Sequence, residues 1–160
     1  MKRFFITLLV SLLTVTAFSQ IKSIDAKIDY RAGILGPHGD PGIGAGLTFE
    51  LAENFDLAPR FNYYIVDDGN KFTIEADFHY NFTEINDDFY LYPLIGGGIY
   101  HYNWKEVEES HNRNKFLLNV GAGIGYPMNE YFTAFGEIKY QIVAGEKSDT
   151  YFSAGISYCF

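Results

Sequence analysis

Positions 71–82 of the chain read KFTIEADFHYNF, and they alternate without a break. Phe72, Ile74, Ala76, Phe78, Tyr80 and Phe82 fall on one face; Thr73, Glu75, Asp77, His79 and Asn81 fall on the other. Side chains with period two occupy opposite faces of a strand, whereas a helix would scatter these charges around its circumference. Positions 24–34 repeat the pattern, with Ile24, Ala26, Ile28, Tyr30 and Ala32 against Asp25, Lys27, Asp29 and Arg31. In 43–51, Ile43, Ala45, Leu47, Phe49 and Leu51 oppose Gly44, Gly46, Thr48 and Glu50. Further strands are predicted at 55–66, 89–102, 115–126, 132–143 and 151–160. Eight strands of roughly 9–13 residues are long beside the ~5–6 usual in soluble proteins, and they suit the ~9–11 needed to cross a bilayer at a tilt.

Turn chemistry separates the strands. Three connections are GPHGDPG at 36–42, DDGN at 67–70 and AGEKSD at 144–149; the longest, NWKEVEESHNRN, covers 103–114. Tighter links are expected at 52–54, 83–88 and 127–130. No helix of useful length is predicted after the first 20 residues. At 160 residues and 48% hydrophobic the chain suits one domain and is too apolar to be disordered. A single cysteine excludes a disulfide framework, and a net charge of −8 argues against nucleic acid as a partner.

The first 20 residues read as an export signal. Lys2 and Arg3 form a basic start, positions 4–18 carry no charge, and Ala17-Phe18-Ser19-Gln20 closes the segment. About 15 apolar residues fall short of the ~20 that span a bilayer as helix. Cleavage near Ser19 or Gln20 leaves a domain at 21–160 and takes the charge from −8 to −10.

Alternation alone fits two barrels that are each other turned inside out. A lipocalin-like carrier lines a cup with its apolar face, whereas a membrane barrel turns that face to lipid. Three features favour the membrane. Aromatics gather near strand ends: Phe49, Phe55, Tyr80, Phe82, Phe89, Phe132, Tyr158 and Phe160 toward one rim, and Tyr63, Phe72, Tyr102, Trp104, Phe116, Tyr151 and Phe152 toward the other. Amphipathic rings prefer the headgroup zone, so two girdles are expected. The last strand places Phe152, Ala154, Ile156, Tyr158 and Phe160 on one face and stops at the phenylalanine. Finally, Gly44, Gly46, Gly121, Gly123, Gly125, Ser153, Gly155 and Ser157 mix with charges on the polar face. An eight-stranded interior is only wide enough for side chains, so small residues there make room for long ones.

On these residues, 21–160 resembles the small eight-stranded outer-membrane β-barrels of Gram-negative bacteria, of the kind seen in the OmpA transmembrane domain and OmpX, and is similar to the single-domain outer-membrane barrel families. The resemblance implies an antiparallel up-and-down barrel in the cell outer membrane. It implies contact with outer-membrane lipid and lipopolysaccharide, and assembly by the barrel assembly machinery. Phe152, Ile156, Tyr158 and Phe160 would be the C-terminal assembly signal. The tethering role of OmpA-type proteins with a peptidoglycan-binding domain does not carry over. Pro59 and Pro93 depart from the pattern because each removes a ladder donor, so bulges or near-rim positions are expected there.

With that facing, Asp25, Lys27, Asp29, Arg31, Glu50, Asp56, Arg60, Glu75, Asp77, Glu137 and Lys139 point inward. Buried charges must pair. A lumenal network of Arg31, Glu50, Arg60, Glu75, Asp77, Glu137 and Lys139 is expected to plug the barrel. A one-residue slip of 132–143 would turn Glu137 and Lys139 toward lipid, so that register is well determined. Both faces of 90–102 are apolar, and the sequence leaves its facing open.

No Walker loop, HExxH, GxSxG or paired CxxC occurs, and no catalytic residue, cofactor or metal site is assigned. Gly96-Gly97-Gly98 is followed by no helix and reads as close packing in a strand. A lipid-modifying hydrolase would need Ser, His and an acid near the outer leaflet; His101 has no serine close by in sequence. The expectation is a monomeric, non-enzymatic barrel serving envelope integrity or surface interaction, with 103–114 as the most exposed loop. Its acidic residues could meet divalent cations at the lipopolysaccharide surface. A narrow pore, a soluble periplasmic ligand-binding barrel and a lipid-modifying enzyme are the alternatives.

Overall fold

The computed structural model describes residues 20–32, 39–66, 69–86, 89–105, 110–145 and 148–160, with backbone alone at 20, 31–32, 69, 83–86, 104–105 and 110–113. The candidate export segment lies outside these residues, apart from the backbone of Gln20.

The regular structure among the described residues is strand throughout: β1 (Gln20–Ala32), β2 (Asp40–Ala52), β3 (Phe55–Tyr64), β4 (Gly69–Tyr80), β5 (Phe82–Asn86), β6 (Phe89–Lys105), β7 (Ser110–Pro127), β8 (Phe132–Val143) and β9 (Asp149–Cys159). Neighbours pair antiparallel, β4 also pairs β6, and β1 pairs β9, so the sheet closes on itself. β5 takes up β6 in the register that β4 leaves: His79 faces Leu94, and Phe82 then faces Leu91. β4 and β5 are thus two pieces of one stave, and the barrel has eight staves. An even count returns both chain ends to the same rim.

The interruption has a local cause. Pro93 lies on β6 between those two pairs and has no N–H to give. On the other edge of the stave the β3–β4 ladder runs on through the break, the Asn81 N–H bonding the Asn54 carbonyl at 2.8 Å. Asn54 sits in the β2–β3 turn with a φ of 67°, a left-handed conformation that asparagine tolerates. Pro59 behaves otherwise than expected. It pairs with Ala76 in an unbroken β3–β4 register, and the β2–β3 ladder runs from Gly46–Arg60 to Phe49–Leu57 without a shift. No bulge forms there; rungs are skipped and the register survives.

Two connections are shorter than the sequence suggests. Pairing of β6 with β7 continues to Lys105 opposite Ser110, so most of 103–114 is hairpin and only 106–109 is left to connect the strands. Likewise β5 occupies most of 83–88.

Orientation is unambiguous. Ile74 and Phe78 are 54% and 51% exposed on the outside, while Glu75 and Asp77 between them are 3% and 0% exposed inside. Ile28, Ile95, Phe116, Leu118 and Ile138 continue the exposed apolar belt around the barrel. Such a belt around a charged interior suits hydrocarbon and excludes the soluble carrier, whose polarity is the reverse. β6 resolves as well: Tyr92, Leu94 and Tyr100 point in, and Ile95 and Ile99 point out.

Aromatic rings collect at both rims. Phe55–Tyr80, Phe89–Tyr126 and Phe132–Tyr158 meet at 4.8, 5.0 and 5.4 Å near the end holding both chain termini. Phe61–Phe72 meet at 5.7 Å toward the other. Tyr102 and Tyr151, expected in that second girdle, instead turn inward. Tyr151 is buried against Tyr64 at 5.5 Å, and Tyr102 packs on Tyr100, Leu117 and Val143.

Candidate functional site

The alternation that faces the strands outward also delivers their charges to the axis. Arg60 of β3 donates from Nη1 to both carboxylate oxygens of Glu137 on β8, at 2.7 and 2.6 Å. The Tyr92 hydroxyl donates to the same carboxylate at 2.9 Å. Asp25 lies 3.6 Å from Arg60 Nη2 and accepts from the hydroxyls of Ser23 and Thr48, each at 2.9 Å. The guanidinium also stands over the Phe135 ring, 5.4 Å from its centroid.

A second cluster lies farther along the axis. Lys139 of β8 bonds Glu75 at 2.7 Å and Asp77 at 3.0 Å, both on β4. The Asn119 amide donates to the other oxygens of the same two acids at 2.7 and 2.9 Å, and Gln141 donates to Asn119 at 2.9 Å. Asn62 adds a bond to Glu75 at 2.6 Å and one to Thr73 at 2.9 Å. Lys27 lies 3.2 Å from Asp29 and 3.8 Å from Glu75, while the Ser153 hydroxyl bonds Asp29. Asn62, Thr73, Asp77 and Asn119 are fully buried, so side chains fill the middle of the lumen.

Each end is closed differently. Toward the connections 33–38 and 106–109, Lys71 pairs with Asp40 at 2.5 Å and stands over the rings of Tyr64 and Tyr100, at 5.1 and 5.8 Å. Tyr100, Leu117 and Val143 form an apolar plug beside it. Toward the chain termini a cavity of about 40 Å³ remains, lined by His79, Tyr90, Thr133 and Cys159 among others. Lys22 bonds Asp56 there at 2.9 Å, and His79 stacks on Tyr92 at 4.8 Å.

Of the seven network residues read from sequence, the structure gathers Arg60, Glu75, Asp77, Glu137 and Lys139. Glu50 is a correction: it is exposed, because it lies at the β2 end where the pairing with β3 shifts and the lumen meets solvent. The side chain of Arg31 lies outside the described residues. Lys71, Asn62, Asn119, Tyr92 and Gln141 join the inward-facing side chains beyond those the sequence marks. Lys71 shares the parity of Thr73 and Glu75, so its inward facing was readable. The amides carry no charge to mark them, and their role depends on which acids they meet across the barrel. His101 stacks on Phe72 at 4.5 Å, and its Nδ1 lies 2.6 Å from the Asn114 side-chain oxygen.

Glycine makes the space. Gly96 and Gly98 stand opposite Asp77 and Glu75 on the lumenal face. A Cβ on Gly98 would lie 2.1 Å from the Ile74 carbonyl oxygen, and one on Gly123 would lie 2.2 Å from the Tyr92 ring. Gly98→Ala is therefore expected to lower stability by about 1–3 kcal/mol through forced backbone shifts. Gly136→Ala, whose Cβ would face outward and meet nothing nearer than 3.8 Å, is expected to be near neutral. Urea midpoints of the two variants in lipid vesicles check the contrast.

Eight closed antiparallel staves, a hydrocarbon-compatible exterior and an ion-paired interior define the class: this is the fold of the small integral outer-membrane barrels. Solved structures agree. The N-terminal β-barrel domain of Pseudomonas aeruginosa OprF superposes with a TM-score of 0.66 at 19% identity, over 89% of this chain and 99% of that one. Neisserial surface protein A gives 0.68 at 15% identity, over 86% and 95%. Ail, the attachment invasion locus protein of Yersinia pestis, gives 0.60 at 18%, over 88% and 97%. No protein-family model matches the chain, and no curated protein matches its sequence.

Proposed function

We propose that the chain is a monomeric, non-enzymatic and non-conducting barrel of the outer membrane that supports envelope integrity and presents its β6–β7 hairpin for interaction at the surface. The observation that carries this reading is the filled lumen, where acids on β1 and β4 and on β8 lie 2.6–3.2 Å from Arg60, Lys139 and Lys27. Carboxylates held in this way are not available as general bases, and their side chains occupy the path an ion would take. Planar-bilayer recordings test it: no steady conductance is expected, and sustained unitary steps would replace this reading with a pore.

The hairpin supports the surface role. β8 stops at Val143 opposite Leu117, with the Ala144 N–H bonded to the Phe116 carbonyl at 3.0 Å, while β7 begins seven residues earlier at Ser110. Loops and hairpins held clear of a rigid scaffold are where recognition concentrates. Ail, an attachment and invasion protein by name, has the same fold. Replacing 106–109 by Asn-Gly is expected to leave the barrel folded by heat-modifiable gel mobility while reducing attachment of expressing cells to host-cell monolayers. Unchanged attachment would remove the surface role and leave the envelope one.

The outward stripe of Phe152, Ile156, Tyr158 and Phe160 is 42–73% exposed and within reach of an assembly partner, with Tyr158 against Phe132 and Phe160 at 5.4 Å each. Phe160→Ala is expected to slow appearance of the folded, heat-modifiable form in cells more than in spontaneous refolding. Equal slowing in both would assign the residue to packing alone.

A further inference from the structure

The β6–β7 hairpin has one covered edge and one open edge. β4 pairs with β6 as far as Gly69 opposite Trp104, almost to the end of β6. On the other side β8 stops at Val143 opposite Leu117, and the Ala144 N–H bonds the Phe116 carbonyl at 3.0 Å. Gly145, with a φ of 75°, then turns the chain toward β9, which begins at Asp149. Successive residues of a strand send their backbone groups to alternate sides. Phe116 bonds toward β8, so the N–H and C=O groups of Asn114, Asn112 and Ser110 point the same way. Among the described residues no strand meets them. Arg113 and Lys115 send theirs to β6, where they stand opposite Tyr102 and Tyr100.

We propose that this open edge docks an extended acidic segment of a second protein, which adds to β7 as a further strand at the cell surface. The inference rests on the reading of the hairpin as a surface element and names the chemistry of its partner. Main-chain bonds to an open edge supply affinity, and side chains at alternate positions supply selectivity. Arg113 and Lys115 occupy alternate positions on one face of the open run, so Asp or Glu at every second position of the incoming strand would lie beside them. The Lys115 Nζ lies 3.4 Å from the Gly145 carbonyl oxygen, which holds its charge at the foot of the run. A second copy of the barrel is a poor occupant. Two copies stand the same way up in one membrane and at the same depth, so their β7 edges could meet only in parallel and in register. Arg113 would then stand opposite Arg113 and Lys115 opposite Lys115, and like charges so placed oppose pairing.

The test is fluorescence anisotropy of a labelled peptide of four Thr-Glu repeats, added to the folded full-length barrel in phosphatidylcholine nanodiscs. This peptide is expected to bind, and one of four Thr-Lys repeats to bind at least about tenfold more weakly, as reversed charge on the same backbone would give. Asn112→Pro removes an N–H from the open edge and none from the β6 ladder. It should weaken the acidic peptide about tenfold, the scale of one or two lost hydrogen bonds. Should Asn112→Pro fail to reach the heat-modifiable form, the acidic peptide N-methylated throughout, offered to the unaltered barrel, carries the same expectation. Equal binding of the two peptides, no binding, or undiminished binding of the N-methylated one overturns the docking edge. Attachment of cells whose barrel has 106–109 replaced reads the surface role separately. Lost attachment beside an unbound peptide would keep that role and overturn the edge; a bound peptide beside unchanged attachment would keep the edge and remove the role.

Discussion

Glu137→Ala is expected to cost about 3–5 kcal/mol, because it strands Arg60 as a buried charge with its main partner gone. Arg60 is 5% exposed; beyond Glu137 it retains Asp25 at 3.6 Å and the face of Phe135. The Tyr92 hydroxyl would lose its acceptor as well. Replacing both partners, Arg60→Met with Glu137→Leu, should recover most of the loss, since desolvation of the pair offsets much of its attraction. Urea unfolding of the vesicle-inserted barrel, followed by gel mobility, reads all three variants. A shift below about 1 kcal/mol for Glu137→Ala would mean that the pair is hydrated like a surface salt bridge, and the filled lumen would be lost with it.

Ile138→Lys should cost about 2–4 kcal/mol, the penalty for lysine at the midplane of a membrane barrel. Ile138 lies near the centre of β8, 48% exposed, between Ala122 of β7 and Phe152 of β9. Its neighbour Lys139 carries the same charge one position on, yet is 3% exposed and bonded to Glu75 and Asp77. One residue of phase separates a satisfied charge from an expelled one. If water bathed the outside, the substitution would fall within about ±0.5 kcal/mol, as surface changes usually do. Folded yield in vesicles of matched thickness distinguishes the two.

Much of this fold was legible because period two is a property of the backbone. Wherever charges mark one face, as in 24–34, 71–82 and 132–143, strand, facing and register follow together; the strand predicted at 132–143 coincides with β8. Where the marking is absent, so is the reading: β6 has apolar residues on both faces, and only its neighbours show that Gly96 and Gly98 stand beside acids. The strand ends were harder. The charged run at 103–114 looks like loop, yet it continues the β6–β7 ladder, because a hairpin standing clear of the bilayer has no apolar face to display. Glu50 shows the converse limit: parity alone cannot tell lumen from rim. In the network itself, residue type and parity identified Arg60, Glu75, Asp77, Glu137 and Lys139. The pairing of Arg60 with Glu137 rather than Glu75 depends on stagger across the barrel, which no local pattern encodes.

The pairs at the axis join distant parts of the chain. Arg60 and Glu137 are 77 residues apart, and Ser153 and Asp29 are 124 apart. An unfinished sheet holding β1 to β4 would carry Glu75 and Asp77 without Lys139, Asp29 without Ser153 and Arg60 without Glu137, and so could not readily leave water. Maturation of this protein is thereby made concerted. Insertion is expected to wait for the last stave, intermediates being kept out of the hydrocarbon by charges whose partners come later in the chain, and folding is expected to be slow, in keeping with contacts so remote in sequence.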